Sequence, residues 1–156
     1  MYMKRLLFCL SLMASLLSVG SASAQTGLKM NDLFEGIVIS QERMVETRVR
    51  GKSLEKYQLT YYRSVRLNAT DEEAGYLRQL LGQDADRSID MRTYRKNPHR
   101  WDTWTCKLQM PSAGSKNRFL CFQEVWNKEH DQCEVTVIYM EGTVGSLEEL
   151  EEKLKK

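Results

Sequence analysis

Cys106, Cys121 and Cys133, together with His99 and His130, are the side chains of this sequence best suited to covalent or metal chemistry. A thiol beside an imidazole is the arrangement a small hydrolase or thiol enzyme would use, and such partners can be distant in sequence; Cys133 and His130 are the pair to consider. Neither histidine stands in a recognisable nucleophile motif. No two cysteines have C-x-x-C spacing, so neither a thioredoxin-type centre nor a structural zinc knuckle is indicated. Three thiols admit at most one bridge. A Cys106–Cys121 disulfide would close a loop of the 14 intervening residues, worth about 3 kcal/mol if loop entropy dominates. The alternative is three small apolar side chains in a core.

Other polar clusters read as structure. Glu129, His130, Asp131 and Cys133 carry ligand-type atoms, but a tight turn would aim them in different directions. Gly51-Lys52-Ser53 copies the end of a phosphate-binding loop, yet Glu46 occupies the place of its first glycine. Glycines at 142 and 145 precede a helix start where backbone N–H groups could hold an anion; relief of the backbone at a strand end, with Ser146 satisfying the first turn, explains them better. Asn68-Ala69-Thr70 has the form of a glycosylation acceptor, and Thr70 already has a role as a helix cap. No catalytic residue, metal ligand or cofactor is assigned.

A second kind of chemistry, recognition, is suggested by basic and aromatic residues. Between Arg87 and Arg100, five basic residues face a single acid, Asp90; this is read as a solvated helix face and loop, with an anionic ligand as the alternative. Trp101 and Trp104 follow directly, and Trp126 ends a neighbouring strand. Exposed rings there would make a platform for a sugar or peptide. Trp104 shares an alternating apolar face with Cys106 and Leu108, which favours its burial. Arg95, Arg100, Trp101 and Trp126 are therefore the candidate partner surface.

The first 24 residues read as an export signal. Lys4 and Arg5 form a basic start, Leu6 to Val19 is apolar, and Ala22-Ser23-Ala24 before Gln25 is a small-x-small cleavage site. The apolar run is shorter than the about 20 residues a spanning helix needs. Cys9 sits too early in it to be an acylation point. Cleavage takes 24 of the 156 residues and leaves 132, the size of one domain. It also removes two of 23 basic residues, leaving 21 against 21 acidic ones. A chain of zero formal charge lacks the positive field of a nucleic-acid binder, and no basic amphipathic helix is offered to a membrane surface. The expected product is periplasmic or secreted, with no membrane span and no nucleic-acid partner.

The elements that must position these groups follow from periodicity. Met30, Leu33, Phe34 and Ile37 suggest a short opening helix. Residues 40–57 fit either a strand, on the alternation of Val45, Thr47 and Val49, or a helical turn. From Leu59 to Asn68 the alternation predicts a half-buried strand, with Leu59, Tyr61, Val65 and Leu67 on one face. Thr70 with Glu73 is a capping box, and Ala74, Leu77, Leu81, Ala85 and Ile89 form the stripe of the helix that follows, which Gly82 could split. Three strands then succeed one another, centred on Cys106, Cys121 and Val137. The middle one is apolar on both faces. Ser146 with Glu149 caps a terminal helix carrying Leu147, Leu150 and Leu154. The order predicts one α+β domain over residues 25–156, a mainly antiparallel sheet ending in a three-stranded meander, with its helices packed on one face.

Several short runs resemble small exported proteins of unknown function from Bacteroidota. They are the Ala24-Gln25 boundary, Val38-Ile39-Ser40, Tyr62-Arg63-Ser64-Val65, and Val137 to Gly142 ahead of Ser146-Leu147-Glu148-Glu149-Leu150. The resemblance implies fold and compartment and carries over no catalytic residue. Some such proteins look like lipoproteins, whereas this leader has no well-placed acylatable cysteine. The expected function is a non-catalytic envelope or secreted module that binds a protein, peptide or glycan. The alternatives are a small exported hydrolase or thiol enzyme, and a self-assembling envelope component.

Overall fold

The computed structural model describes residues 27–97 and 100–155. The expected export signal, Cys9 and His99 lie outside the described residues. Six strands form one sheet: β1 (Val45–Arg50), β2 (Leu59–Ala69), β3 (Asp90–Lys96), β4 (Trp101–Ala113), β5 (Lys116–Asn127) and β6 (Gln132–Gly142). Their spatial order is β1-β2-β6-β5-β4-β3, and each neighbouring pair is antiparallel. Among the described residues three α-helices accompany them: α1 (Asn31–Phe34), α2 (Asp71–Ala85) and α3 (Leu147–Leu154). The expected meander is β4-β5-β6.

Because successive strand residues point to opposite faces, the register sorts the side chains. One face carries Val65 and Leu67 of β2, Val135, Val137 and Tyr139 of β6, Leu120 and Phe122 of β5, and Cys106 and Leu108 of β4. These pack with Leu77, Leu80 and Leu81 of α2 and with Met30, Leu33 and Phe34 of the opening segment. The other face carries Phe119 and Met140, which pack with Leu147 and Leu150 of α3. The helices therefore do not gather on one face. A central strand that is apolar on both sides needs two covers, and α3 supplies the second over part of its length.

Thr70 accepts the Glu73 amide while Glu73 accepts that of Thr70, which closes the capping box at the start of α2. Gly82 does not split this helix. Its buried stripe is Ala74, Leu77, Leu80, Leu81 and Asp84; Ile89, expected to continue the stripe, is exposed and leads into β3. The fully buried Asp84 accepts the backbone amides of Lys29 (2.7 Å) and Met30 (2.9 Å) and an Arg87 guanidinium hydrogen (3.0 Å). It moors the opening segment to the end of α2. That segment is helical only over Asn31–Phe34, and Ile37 faces solvent.

The ambiguous stretch 40–57 contains β1, an edge strand, flanked by two 3-10 turns at Gln41–Arg43 and Lys52–Tyr57. Gly51-Lys52-Ser53 opens the second of these. The stretch read as helix face and loop, residues 87–100, instead contains β3, the opposite edge. Its sequence, DMRTYRK, is largely exposed and lacks an apolar alternation. Charged edge residues are a common defence against unwanted pairing, and they hide a strand from a periodicity reading.

A register shift between Leu59 and Tyr61 interrupts the β2–β6 pairing, and it turns Leu59 toward the α3 cluster while Tyr61 stays with the α2 cluster. Here Gly142 approaches the backbone of β2 so closely that a Cβ on it would lie 2.1 Å from the Gln58 carbonyl oxygen. That carbonyl accepts the amides of Thr143 and Val144. The next glycine is also engaged, because the Gly145 amide donates to Glu149 (2.7 Å). Both glycines are accounted for by the turn into α3.

Candidate functional site

Register settles the cysteines first. Across β4 and β5, Cys106 lies opposite Phe122 and Cys121 lies opposite Lys107. The one-residue offset places the two thiols on opposite faces of the sheet, so the candidate bridge does not form and Cys106, Cys121 and Cys133 are all free, as the alternative reading had it. Burial raises each thiol above its ordinary pKa, Cys121 to about 11 and Cys133 to about 12. A nucleophilic cysteine needs the opposite displacement. His130 is exposed in the β5–β6 turn beside Glu129 and Asp131. No three His, Cys, Asp or Glu side chains among the described residues are grouped to hold a metal ion.

The candidate partner residues divide. Trp101 lies opposite Asn127, whereas Trp126 lies opposite Asp102, so the two rings leave the sheet on opposite faces. Trp101 is 42% exposed and Arg100 pairs with Glu129 at 3.0 Å. Arg95 and Trp126 do come together. They line a cleft of about 290 Å³ at the end of the α2-bearing face, with Arg78, Asp102, Trp104 and Glu124.

Four elements build this cleft. From β4, Trp104 packs edge-on against Phe122, ring centroids 5.8 Å apart. From β5, Glu124 and Trp126 project two residues apart on the same face, and α2 contributes Arg78. Glu124 is only 4% exposed and accepts from Arg78 at 2.8 Å. Burial pushes its carboxyl up, and the Arg78 charge and the hydrogen bonds from Arg78 and the Trp126 indole only partly oppose this. From the edge, Arg95 grips Asp102 with two contacts, 2.6 and 3.2 Å. That hydrogen-bonded guanidinium holds Asp102 below its usual range. Each guanidinium has its own carboxylate, so the cleft is polar and aromatic and carries no net charge.

Sequence reading named Arg95 and Trp126 but missed Arg78, Asp102 and Glu124. Glu124 had a signal: it is an acid inside an apolar run, on the same face as Phe122 and Trp126. Arg78 had none, since it lies on the exposed flank of α2 and reaches the cleft only through the packing of that helix.

The opposite face has its own concavity. Next to α3, a cavity of about 240 Å³ is lined by Tyr62, Phe119, Ile138, Met140, Leu150 and Leu154. It shares Lys107, Cys121, Glu151 and Leu154 with a more open groove of about 500 Å³ that reaches Tyr94, Lys96, Thr105 and Lys155.

A family model described as "Family of unknown function (DUF6108)" matches residues 17–154. The chain belongs to this family. The match spans the opening segment, the whole sheet and all of α3, so the DUF6108 region holds the cleft and the cavity beside α3, and of the groove's lining Lys155 alone falls outside it. A search of curated proteins found no match. Among solved structures, human STARD10 aligns over 87% of this chain and 76% of its own, at 11% identity and a TM-score of 0.23. A likeness of that degree carries no argument about this chain. Among the described residues no helix is long and apolar enough to cross a membrane.

Proposed function

We propose that this protein is an exported, non-catalytic binding module of a Bacteroidota cell envelope, periplasmic or secreted, and that its cleft between β3, β4, β5 and α2 receives a neutral glycan end. The observation that carries the reading is the conjunction of Trp104 and Trp126 with two internally neutralised guanidinium–carboxylate pairs. Indole faces suit the C–H faces of sugar rings, and fixed carboxylate and guanidinium groups offer acceptors and donors to adjacent hydroxyls. A cleft without net charge gives a charged peptide no electrostatic advantage.

A glycan array probed with residues 25–156, followed by calorimetry on the best neutral oligosaccharide, tests this. Trp126→Ala is expected to weaken binding by about fivefold, as loss of an aromatic contact worth about 1 kcal/mol implies. Arg95→Ala is expected to weaken it as well. Absence of any glycan binding, or binding indifferent to both changes, rejects the reading.

One observation favours a hydrolase instead. Asp102 lies opposite Trp126 and Glu124 opposite Trp104, so the two acids are diagonal neighbours with pKa values displaced in opposite directions, a pattern seen in acid–base pairs. Arg78, bonded to Glu124, opposes it by favouring the ionised form. Turnover of an aryl glycoside that is lost in Glu124→Gln would establish hydrolysis over binding alone.

A further inference from the structure

The cavity beside α3 and the groove beside it form one continuous amphipathic channel on the face opposite the glycan cleft. Its inner part is carbon: Phe119, Ile138, Met140, Leu150 and the half-exposed Leu154. Its outer part brings Lys96, Lys107 and Lys155 around a single carboxylate, Glu151. Lys107 donates to Glu151 at 2.7 Å, and Tyr94 donates to the same carboxylate at 3.0 Å. Lys107 also lies 5.1 Å from the centre of the Tyr94 ring. An ammonium has three donors, so this pairing leaves donors on Lys107 for a second anion.

We propose that this channel binds the anion of a medium-chain fatty acid, with its alkyl tail in the cavity beside α3 and its carboxylate against Lys107, flanked by Lys96 and Lys155. Three features select this occupant. The excess of lysine over carboxylate at the mouth favours an anionic head. The inner volume of 240 Å³ holds one chain of about eight methylenes, taking each as about the size of a water, 30 Å³. The floor is the face of the inner strands β4-β5-β6-β2, each with a neighbour on both edges, so it offers no free strand edge to the amides of a peptide. An alkyl chain needs none. The proposal is independent of the glycan reading, since no side chain lines both sites.

Calorimetry of residues 25–156 with decanoate, below its micelle concentration, tests it against decyltrimethylammonium, which keeps the tail and reverses the head, and butyrate, which keeps the head and shortens the tail. Decanoate is expected to bind at one site, about tenfold or more tighter than the cation, the order of a charge-assisted hydrogen bond, and at least as much tighter than butyrate, which lacks about six of the methylenes to be buried. Lys107→Gln should weaken decanoate by a similar factor. Ile138→Trp should abolish binding by filling the cavity, with a thermal melt to confirm folding; if it does not fold, Leu154→Glu at the mouth gives the same readout. Failure of decanoate to bind, equal binding of the cation, or unchanged affinity in folded variants overturns the proposal.

Discussion

A cysteine is defined by what surrounds it, and here the surroundings forbid both reactions the residue is known for. Cys106 and Cys133 are buried on the α2 side of the sheet, and Cys121 faces the other way. Desolvation keeps each protonated at neutral pH. Residues 25–156, purified without reductant and unfolded in guanidinium, are accordingly expected to titrate as three thiols with an aromatic disulfide reagent. The folded protein at pH 8 should react slowly at all three. A count of one in denaturant would restore the disulfide, and one fast thiol in the folded state would revive the thiol-enzyme reading. The sequence could not separate these cases, because an offset of a single residue between paired strands decides them, and that offset is set by the turn at Gly114 and the irregular pairing between Met110 and Ala113.

Elements with strong local signals were legible from their own residues. The β4-β5-β6 alternation, the Thr70 box and the Ser146 cap each specify an element through contacts within a few positions of themselves. Elements defined by position in the sheet were not. β3 has no buried stripe because one side of its backbone meets only β4, and Arg95 of that strand acquires meaning only through Asp102 on its neighbour. The cleft was half legible for the same reason: Trp126 and Arg95 advertise themselves by type and Glu124 by its place in an apolar run, while Arg78 depends on where α2 comes to rest. Asp84 belongs with these long-range features, an acid on the buried stripe of α2 that serves a segment far earlier in the chain. Asp84→Ala is expected to cost about 2–3 kcal/mol by leaving the Lys29 and Met30 amides without their acceptor. Chemical denaturation measures it, and hydrogen exchange should show the loss first in residues 28–34. A change below about 0.5 kcal/mol would mean the mooring is dispensable.

Across the molecule, three carboxylates tie peripheral elements to the body. Glu46 on β1 accepts from Arg63 of β2, Glu73 on α2 from Arg43 just before β1, and Glu151 on α3 from Lys107 of β4. At Glu46 burial pushes the carboxyl up, but hydrogen bonds from Arg48 and Arg63 outweigh it; at Glu151 the same contest is won by Lys107 and Tyr94. At Glu73 the Arg43 hydrogen bond is itself the largest influence. All three end below the ordinary value of 4.5. Groups depressed in the folded state contribute stability above their unfolded pKa and lose it as pH falls through the folded one. Stability is therefore expected to hold from neutrality down to about pH 4.5 and to decline below it. Glu124, raised by burial, acts with the opposite sign and softens the decline, since its protonation relieves a buried charge. In Glu46→Gln the difference from the parent should be largest at pH 7 and shrink by pH 3. An undiminished difference at pH 3 would show that Glu46 acts by packing rather than by charge.

The contact between Gly142 and the Gln58 carbonyl bears on more than a turn. The same carbonyl holds the two amides that launch the chain toward α3, so one atom of β2's approach anchors the suspension of the terminal helix. A methyl group at position 142 would wedge that junction apart, and the floor and roof of the apolar channel would part together. The capacity to shelter an alkyl tail thus hangs on a hydrogen atom where every other amino acid has carbon.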